Sequence, residues 1–114
     1  MYDDDQLIID VEQVGDDVVV RAEGELDSHT EGGLHATLKA VCDAAPSRAV
    51  VTADLSAITF FGSAGIALLA LSQRRCGERG ASFRVMASPA VLHTLRLTGL
   101  DRSLDLVPAV PTRP

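Results

Sequence analysis

The stretch "DLSAITFFGSAGIALLALSQRR", Asp54 to Arg75, decides the fold. Two apolar segments flank Gly62-Ser63-Ala64-Gly65, a run of small residues carrying a single hydroxyl. The first segment reads as a short strand running into a turn at Gly62. The second reads as a helix leaving that turn, reaching about Glu78 and ending near Gly80. Just upstream, "SRAVVTADL" (47–55) holds an apolar run without clean alternation, which suits a central strand. The strand–turn–helix around Ser63 leaves two uses for its hydroxyl. It can cap the helix, a role worth about 1 kcal/mol, or it can be a handle placed where a modifying enzyme can reach it.

Working outward, "LIIDVEQVGDDVVVRAEGEL" (7–26) reads as a β-hairpin. Val18, Val20 and Ala22 alternate with Val19, Arg21 and Glu23, and Gly15-Asp16 supplies the turn. Next, Ser28 and Glu31 have the S-x-x-E spacing of a capping box. Leu34, Leu38, Val41 and Ala45 then recur at helical spacing, Gly32 and Gly33 weaken the first turn, and Pro46 marks a stop. Beyond the central helix, "SFRVMA" (82–87) is a further strand. Ser88-Pro89 opens another helix with a cap and a proline at its first position. Val91, Leu92 and Leu95 give that helix its buried face, and Gly99 with Leu100 suits its C-terminal cap. "SLDLV" (103–107) is a possible short edge strand, and the proline-rich "PAVPTRP" is expected to be loose. The order is ββαβαβα with a possible final strand: an α/β fold in which helices pack on a mixed β-sheet. No linker, repeat or low-complexity block divides the chain.

A chain of 114 residues with 46% hydrophobic content is one domain, with a core of Val, Leu, Ile and Ala because aromatics make up only 4%. No apolar run approaches the ~20 residues of a membrane span. The acidic start "MYDDDQL" lacks the basic-then-apolar pattern of a secretory signal, so a cytoplasmic location is expected. Cys42 and Cys76, far apart and outside any CxxC pattern, are expected to be reduced, partly buried thiols. His29, His35 and His93 have no metal-ligand partners at useful spacing, so no metal is expected. The charge of −6 is unevenly placed: residues 1–31 hold eleven acids against Arg21 alone, while the remainder is net basic. That asymmetry suits docking on a charged partner and equally a solvated edge hairpin. The acidic pI and scarce aromatics disfavour direct nucleic-acid binding.

No catalytic constellation is present. "FGSAG" matches the G-x-S-x-G nucleophile elbow only loosely, because Gly62 is adjacent to Ser63, and the chain is far shorter than an α/β-hydrolase. Phosphate-cradling GxxxxGK[ST] and dinucleotide-binding GxGxxG motifs are both absent. Asp27 and Asp54 fall at strand ends, where acids more often cap or face solvent. Ser63, by contrast, sits where unsatisfied helix amides and the positive end of the dipole stabilise an added phosphate. Gly62, Ala64 and Gly65 around it remove side-chain bulk.

Three segments resemble the STAS domain family, and within it the small bacterial anti-sigma factor antagonists. They are "EGELDSHT" (23–30), "VVTADLSAITFFGSAGIALL" (50–69) and "SPAVLHTLRLTGLDRSLDL" (88–106). The resemblance spans about Leu7 to Val107. It implies a mixed sheet with helices packed against it, no enzymatic activity and no cofactor. It also implies competition with a sigma factor for an anti-sigma factor that is itself an ATP-using serine kinase of the GHKL type. Phosphorylation would break that complex and a phosphatase would reset it. On the family pattern Ser63 falls on the phosphoacceptor. Asp27, with Ser28 beside it, falls on the aspartate near the partner-binding surface. Gly62, Ala64, Gly65 and Ile66 complete the acceptor turn, and Ser88 begins a loop on the same side. Two departures stand out: Gly62 replaces the family's usual aspartate, and Ala64 replaces a second hydroxyl residue. The resemblance also fits an unphosphorylated scaffold or ligand-binding subunit, such as a lipid-transport accessory or a stress-complex component. Arg74, Arg75 and Arg79 would then meet an acidic protein or lipid headgroups.

Overall fold

Apolar alternation and three helical repeats account for nearly every element of the computed structural model, which describes residues 7–108. In chain order these are β1 (Ile8–Val14), β2 (Asp17–Leu26), α1 (Glu31–Ala44), β3 (Val50–Phe61), α2 (Ser63–Glu78), β4 (Ser82–Ala87), α3 (Pro89–Thr98) and β5 (Asp105–Val107). A single 3-10 turn, Leu100–Arg102, links α3 to β5 and was not foreseen. The five strands form one sheet in the order β1-β2-β3-β4-β5. β1 runs antiparallel to β2, and each remaining neighbouring pair is parallel. The sheet is therefore mixed, and β3 is central, as the sequence led us to expect. Of the tail "PAVPTRP", all but Pro108 lies outside the described residues.

The core lies on one side of this sheet. Val18, Val20 and Ala22 of β2, Val51, Ala53 and Leu55 of β3, and Phe83 and Val85 of β4 are all buried. They join Leu34 and Leu38 of α1, Leu68 and Leu69 of α2, and Val91 and Leu95 of α3 in one cluster. The alternate strand residues, such as Arg21, Asp54 and Arg84, point away from the helices. Helices thus cover one face and leave the other open.

Three local expectations are corrected. The central strand starts at Val50 rather than Ser47, because Ala49 N–H donates to the Pro46 carbonyl (3.1 Å) in a turn. It also runs unbroken to Phe61, so the stretch 47–55 and the short strand expected before Gly62 belong to one element. Pairing passes from Arg21↔Asp54 to Glu23↔Ala57, and from Gly24↔Ile58 to Glu25↔Phe60. Each shift puts an extra residue on β3, a bulge that lets Leu55, Ile58 and Phe61 all reach the core at a spacing of three. The Ser28–Glu31 capping box does not form. Thr30 is the N-cap of α1 without a side-chain capping bond, and Glu31 is the first helical residue.

Both ends of α3 match their sequence signals. Ser88 Oγ accepts from Val91 N–H (3.2 Å), Pro89 follows as the first helical residue, and Gly99 closes the helix at φ 77°. That left-handed conformation carries no Cβ penalty in glycine.

The two cysteines are free and wholly buried, rather than partly buried. They meet where the last turns of α1 and α2 pack: Arg75 Nη1 lies 3.2 Å from Asp43 Oδ1, and Arg79 Nε donates to the Ala45 carbonyl (3.0 Å). A hydrogen bond to Cys76, together with burial, pushes the Cys42 thiol well above its usual value.

Candidate functional site

Parallel strands β2, β3 and β4 run in one direction and each is followed by a loop at that end, although β4 stops opposite Leu55, six residues before the end of β3. Those loops carry Asp27 after Leu26, Gly62-Ser63 after Phe61, and Ser88 after Ala87. Two hydrogen bonds tie the edge together. Gly62 N–H donates to the Leu26 carbonyl (2.9 Å), locking the Gly62-Ser63 turn to the end of β2. Thr94 Oγ1 of α3 donates to the Phe61 carbonyl (3.1 Å). The bond from Gly62 to Leu26 thus brings Asp27 and Ser63 together, while Ser88, just past the Leu55↔Ala87 pair, lies further back along β3.

Ser63 is the first residue of α2, not its cap. Gly62 holds the N-cap position in an extended conformation (φ −83°, ψ 179°), and no side chain makes a capping bond. The Ser63 hydroxyl is exposed, and α2 has no acid in its first turn. The Gly62 and Gly65 N–H groups donate to the Leu26 and Gly62 carbonyls, so it is the Ser63 and Ala64 amides that lie open at the positive end of the helix beside the hydroxyl. Ala64 and Ile66 are half-buried, and Ile66 packs against the core. Gly65 is buried for a steric reason. A Cβ there would collide with Phe61 Cε1 and Cζ and lie 2.7 Å from Leu26 Cδ2. The first turn of α2 therefore presses directly on Phe61 and Leu26 and turns Ser63 outward. Gly62 is less constrained, since a Cβ there would meet Phe60 Cε2 at 3.3 Å and the Leu26 carbonyl at 3.4 Å.

Asp27 organises its own loop. Its Oδ1 accepts from His29 N–H (2.9 Å) and Thr30 N–H (3.1 Å). Thr30 Oγ1 accepts from Asp27 N–H (3.0 Å) and donates to the Glu25 carbonyl (2.8 Å). Backbone N–H donation from His29, joined by the Thr30 bonds, holds the Asp27 carboxyl below its ordinary value. An ionised, half-buried carboxylate is thereby fixed beside the Gly62 turn, with Ser28 exposed next to it.

Ser88 stands apart from the other two. Its side chain is 4% exposed and its hydroxyl is committed to Val91, so it shapes the loop rather than offering a polar contact at the surface. Pro89 is the exposed neighbour. Of the three arginines at the far end of α2, Arg75 pairs with Asp43 and Arg79 binds the Ala45 carbonyl, while Arg74 and Arg79 are both exposed.

Two contributors escaped the sequence reading. Phe60, 51% exposed, places an aromatic ring beside Gly62 at the start of α2. Strand alternation contains the signal, because adjacent Phe60 and Phe61 cannot both face the core. Thr30 was assigned no role, and no spacing rule marks its return to Glu25. Among the described residues, no group of three or more His, Cys, Asp or Glu side chains could hold a metal, and no helix is long and apolar enough to cross a membrane.

The architecture is a five-stranded mixed sheet covered on one face by three helices, with a serine at the start of the central helix. A family model described as "Mlab, STAS domain" matches residues 9–108, and the chain belongs to the STAS domain family. The anti-sigma-F factor antagonist RsfB of Mycobacterium tuberculosis is 30% identical over 103 residues, which span 90% of this chain and 82% of that protein. An anti-sigma factor antagonist from Mycobacterium paratuberculosis, known from its crystal structure, matches with a TM-score of 0.83 at 33% identity, covering 96% of this chain and 92% of that one. The anti-sigma factor antagonist SpoIIAA in its unphosphorylated form shares the fold, with a TM-score of 0.76 at 21% identity over 90% of this chain and 89% of that one.

Proposed function

We propose that this chain is an anti-sigma factor antagonist. It acts in the cytoplasm by binding rather than by catalysis, and it frees a sigma factor by occupying the anti-sigma factor. The docking surface is the sheet edge carrying Asp27, Ser28 and the Gly62–Ile66 turn, with the Ser88 loop beside it. The observation that carries the switch is the Ser63 hydroxyl, exposed and without a capping bond at the open N-terminus of α2. The names of relatives that align with most of the chain support the class of partner.

Phosphate on Ser63 would add roughly −1.5 to −2 charges near neutral pH. The helix amides offset part of that charge inside the free domain, so the fold tolerates it. In a closed interface the same group brings steric overlap, desolvation and repulsion. A penalty of ~3–4 kcal/mol weakens binding several hundredfold, enough to release a partner without refolding the domain. The modifying enzyme is the partner itself, a GHKL-type serine kinase, and a phosphatase reverses the step. Because Gly62 stands where the family has an aspartate, this kinase meets a neutral residue before its acceptor.

The test is to incubate the chain with the cognate anti-sigma factor and ATP, map the phosphate, and measure binding before and after. Label on Ser63, and weaker binding by both the phosphorylated form and Ser63→Asp, are expected. Label on Ser56 or Ser88 would move the switch elsewhere, and absence of any complex would remove the function.

A further inference from the structure

The sheet face opposite the helices carries no second layer among the described residues, and its side chains form an organised surface. Register and alternation place Ile8, Asp10, Glu12 and Val14 of β1 there, beside Val19, Arg21 and Glu23 of β2. Thr52 and Asp54 of β3, Arg84 and Met86 of β4, and Asp105 and Val107 of β5 continue it. Two hollows of about 160 and 460 Å³ adjoin along Arg21, Asp54 and Ser56. Val19, Met86 and Val107, all half-buried, give the larger hollow an apolar floor. Ile8 and Val14 are 61% and 55% exposed at the margin.

The charges around that floor are unbalanced. Arg21 lies 2.9 Å from Glu12, 3.5 Å from Asp10 and 3.7 Å from Asp54, and Arg84 lies 3.2 Å from Asp105. With Glu23, five carboxylates face two guanidinium groups, so both cations are already held and an acidic surplus remains. A second copy of this chain would set surplus against surplus. Anionic lipid and nucleic acid would be repelled for the same reason. A segment with an apolar stripe and flanking lysines or arginines satisfies both features of the surface.

We propose that this open face is a second docking surface and that its occupant is a basic amphipathic segment of another protein. The surface is separate from the phosphorylatable edge. Asp54 precedes Phe61 by seven residues along β3, about 20 Å at strand rise. A partner seated over Val19, Thr52 and Arg84 lies away from Ser63, and this proposal does not depend on the switch.

The test is an NMR titration of the full chain with a synthetic amphipathic peptide of leucine and lysine, with a leucine–glutamate peptide as control. Expected are shifts centred on Val19, Thr52, Met86 and Val107, present also in Ser63→Asp and absent with the glutamate peptide. Neutralising the margin with Asp10→Asn and Glu12→Gln should weaken binding several-fold, and Met86→Gln should weaken it through the floor. Spectra of both variants without peptide establish that they are folded. Shifts gathered instead on the hairpin tip at Asp16 and Asp17, no response, or a response to the glutamate peptide would overturn the proposal. So would concentration-dependent self-association through this face, or a face shown to be covered by residues 109–114.

Discussion

Two helices of this domain begin in the same way and use their serines in opposite ways. α2 and α3 each follow a parallel strand and carry a serine at the junction. At α3 the serine is the N-cap, buried, with its hydroxyl bonded to Val91 N–H. At α2 a glycine takes the cap position and the serine moves one residue into the helix, exposed and without a capping bond. The difference is one residue of register. It separates a hydroxyl that holds the fold together from a hydroxyl that the fold merely presents. The β2–α1 junction gives a third solution, in which Asp27 takes up the N–H groups of its own loop.

The largest effect expected within this comparison lies not at either serine but at the buried glycine in the first turn of α2. Gly65 lets α2 press on Phe61 and Leu26, and an added methyl has no room there. Gly65→Ala should therefore destabilise the domain by about 1–3 kcal/mol, the cost of overpacking a core, although alanine is the better helix former. Urea unfolding reads this directly. A stability equal to wild type would mean that α2 can shift outward freely, and its fixed presentation of Ser63 would no longer follow.

Next in size is Ser88→Ala, expected to cost about 1 kcal/mol or somewhat more, because the deserted Val91 N–H lies in a buried turn. Partner binding by Ser88→Ala should stay near wild type under conditions where the fold is intact. A selective loss of binding with unchanged stability would give Ser88 a direct contact and weaken the contrast between the two junctions.

How far the sequence reaches is visible at these same residues. Ser88-Pro89 and Gly99 were legible because local backbone chemistry alone determines them, and the structure agrees at both ends of α3. The order of elements was legible from periodicity, and the mixed sheet from an initial hairpin followed by strand–helix–strand units. The Ser28–Glu31 spacing misled, because a four-residue pattern cannot reveal that Thr30 is drawn back to Glu25 and Asp27. Ser63 was offered as a cap for a related reason: sequence places a helix start only to within a residue or two, and here one residue decides the role. The extension of β3 through Phe61 depends on bulges against β2, and the meeting of Cys42 with Cys76 depends on how α1 packs on α2. Both are tertiary facts without a local signature. At the candidate site the sequence names Asp27, Ser63 and Ser88 but not the committed state of their polar groups, which only the hydrogen bonds reveal.

The Asp27 loop sharpens the comparison through pH. Its carboxyl is held below the ordinary 3.8 by the amides of His29 and Thr30, so its stabilising contribution is complete above about pH 3.8. As pH falls below that value and through the lowered pKa, the contribution is lost. Asp27→Asn keeps an acceptor but removes the titration. Wild type should thus be the more stable at neutral pH, with the gap closing only below about pH 3.8. Asp43, held low by Lys39 and Arg75, is present in both proteins and cancels. A gap that closes near pH 6 would point to a different titrating group.

The smallest expected effect is the most diagnostic. Ser63→Ala removes a hydroxyl with no capping bond from an exposed first-turn position, so no buried donor is left without a partner. Substitutions of that kind usually stay within about 0.5 kcal/mol of wild type, and the higher helix propensity of alanine pushes toward slight stabilisation. Measured beside Ser88→Ala under the same conditions, the variant should be clearly the more stable of the two. It should also bind its partner at wild-type strength and lose only the response to kinase and ATP. If Ser63→Ala instead unfolds as readily as Ser88→Ala, the Ser63 hydroxyl caps α2 in solution. The two junctions would then be alike, and a serine already committed to the backbone would have to give up that bond before it could accept phosphate.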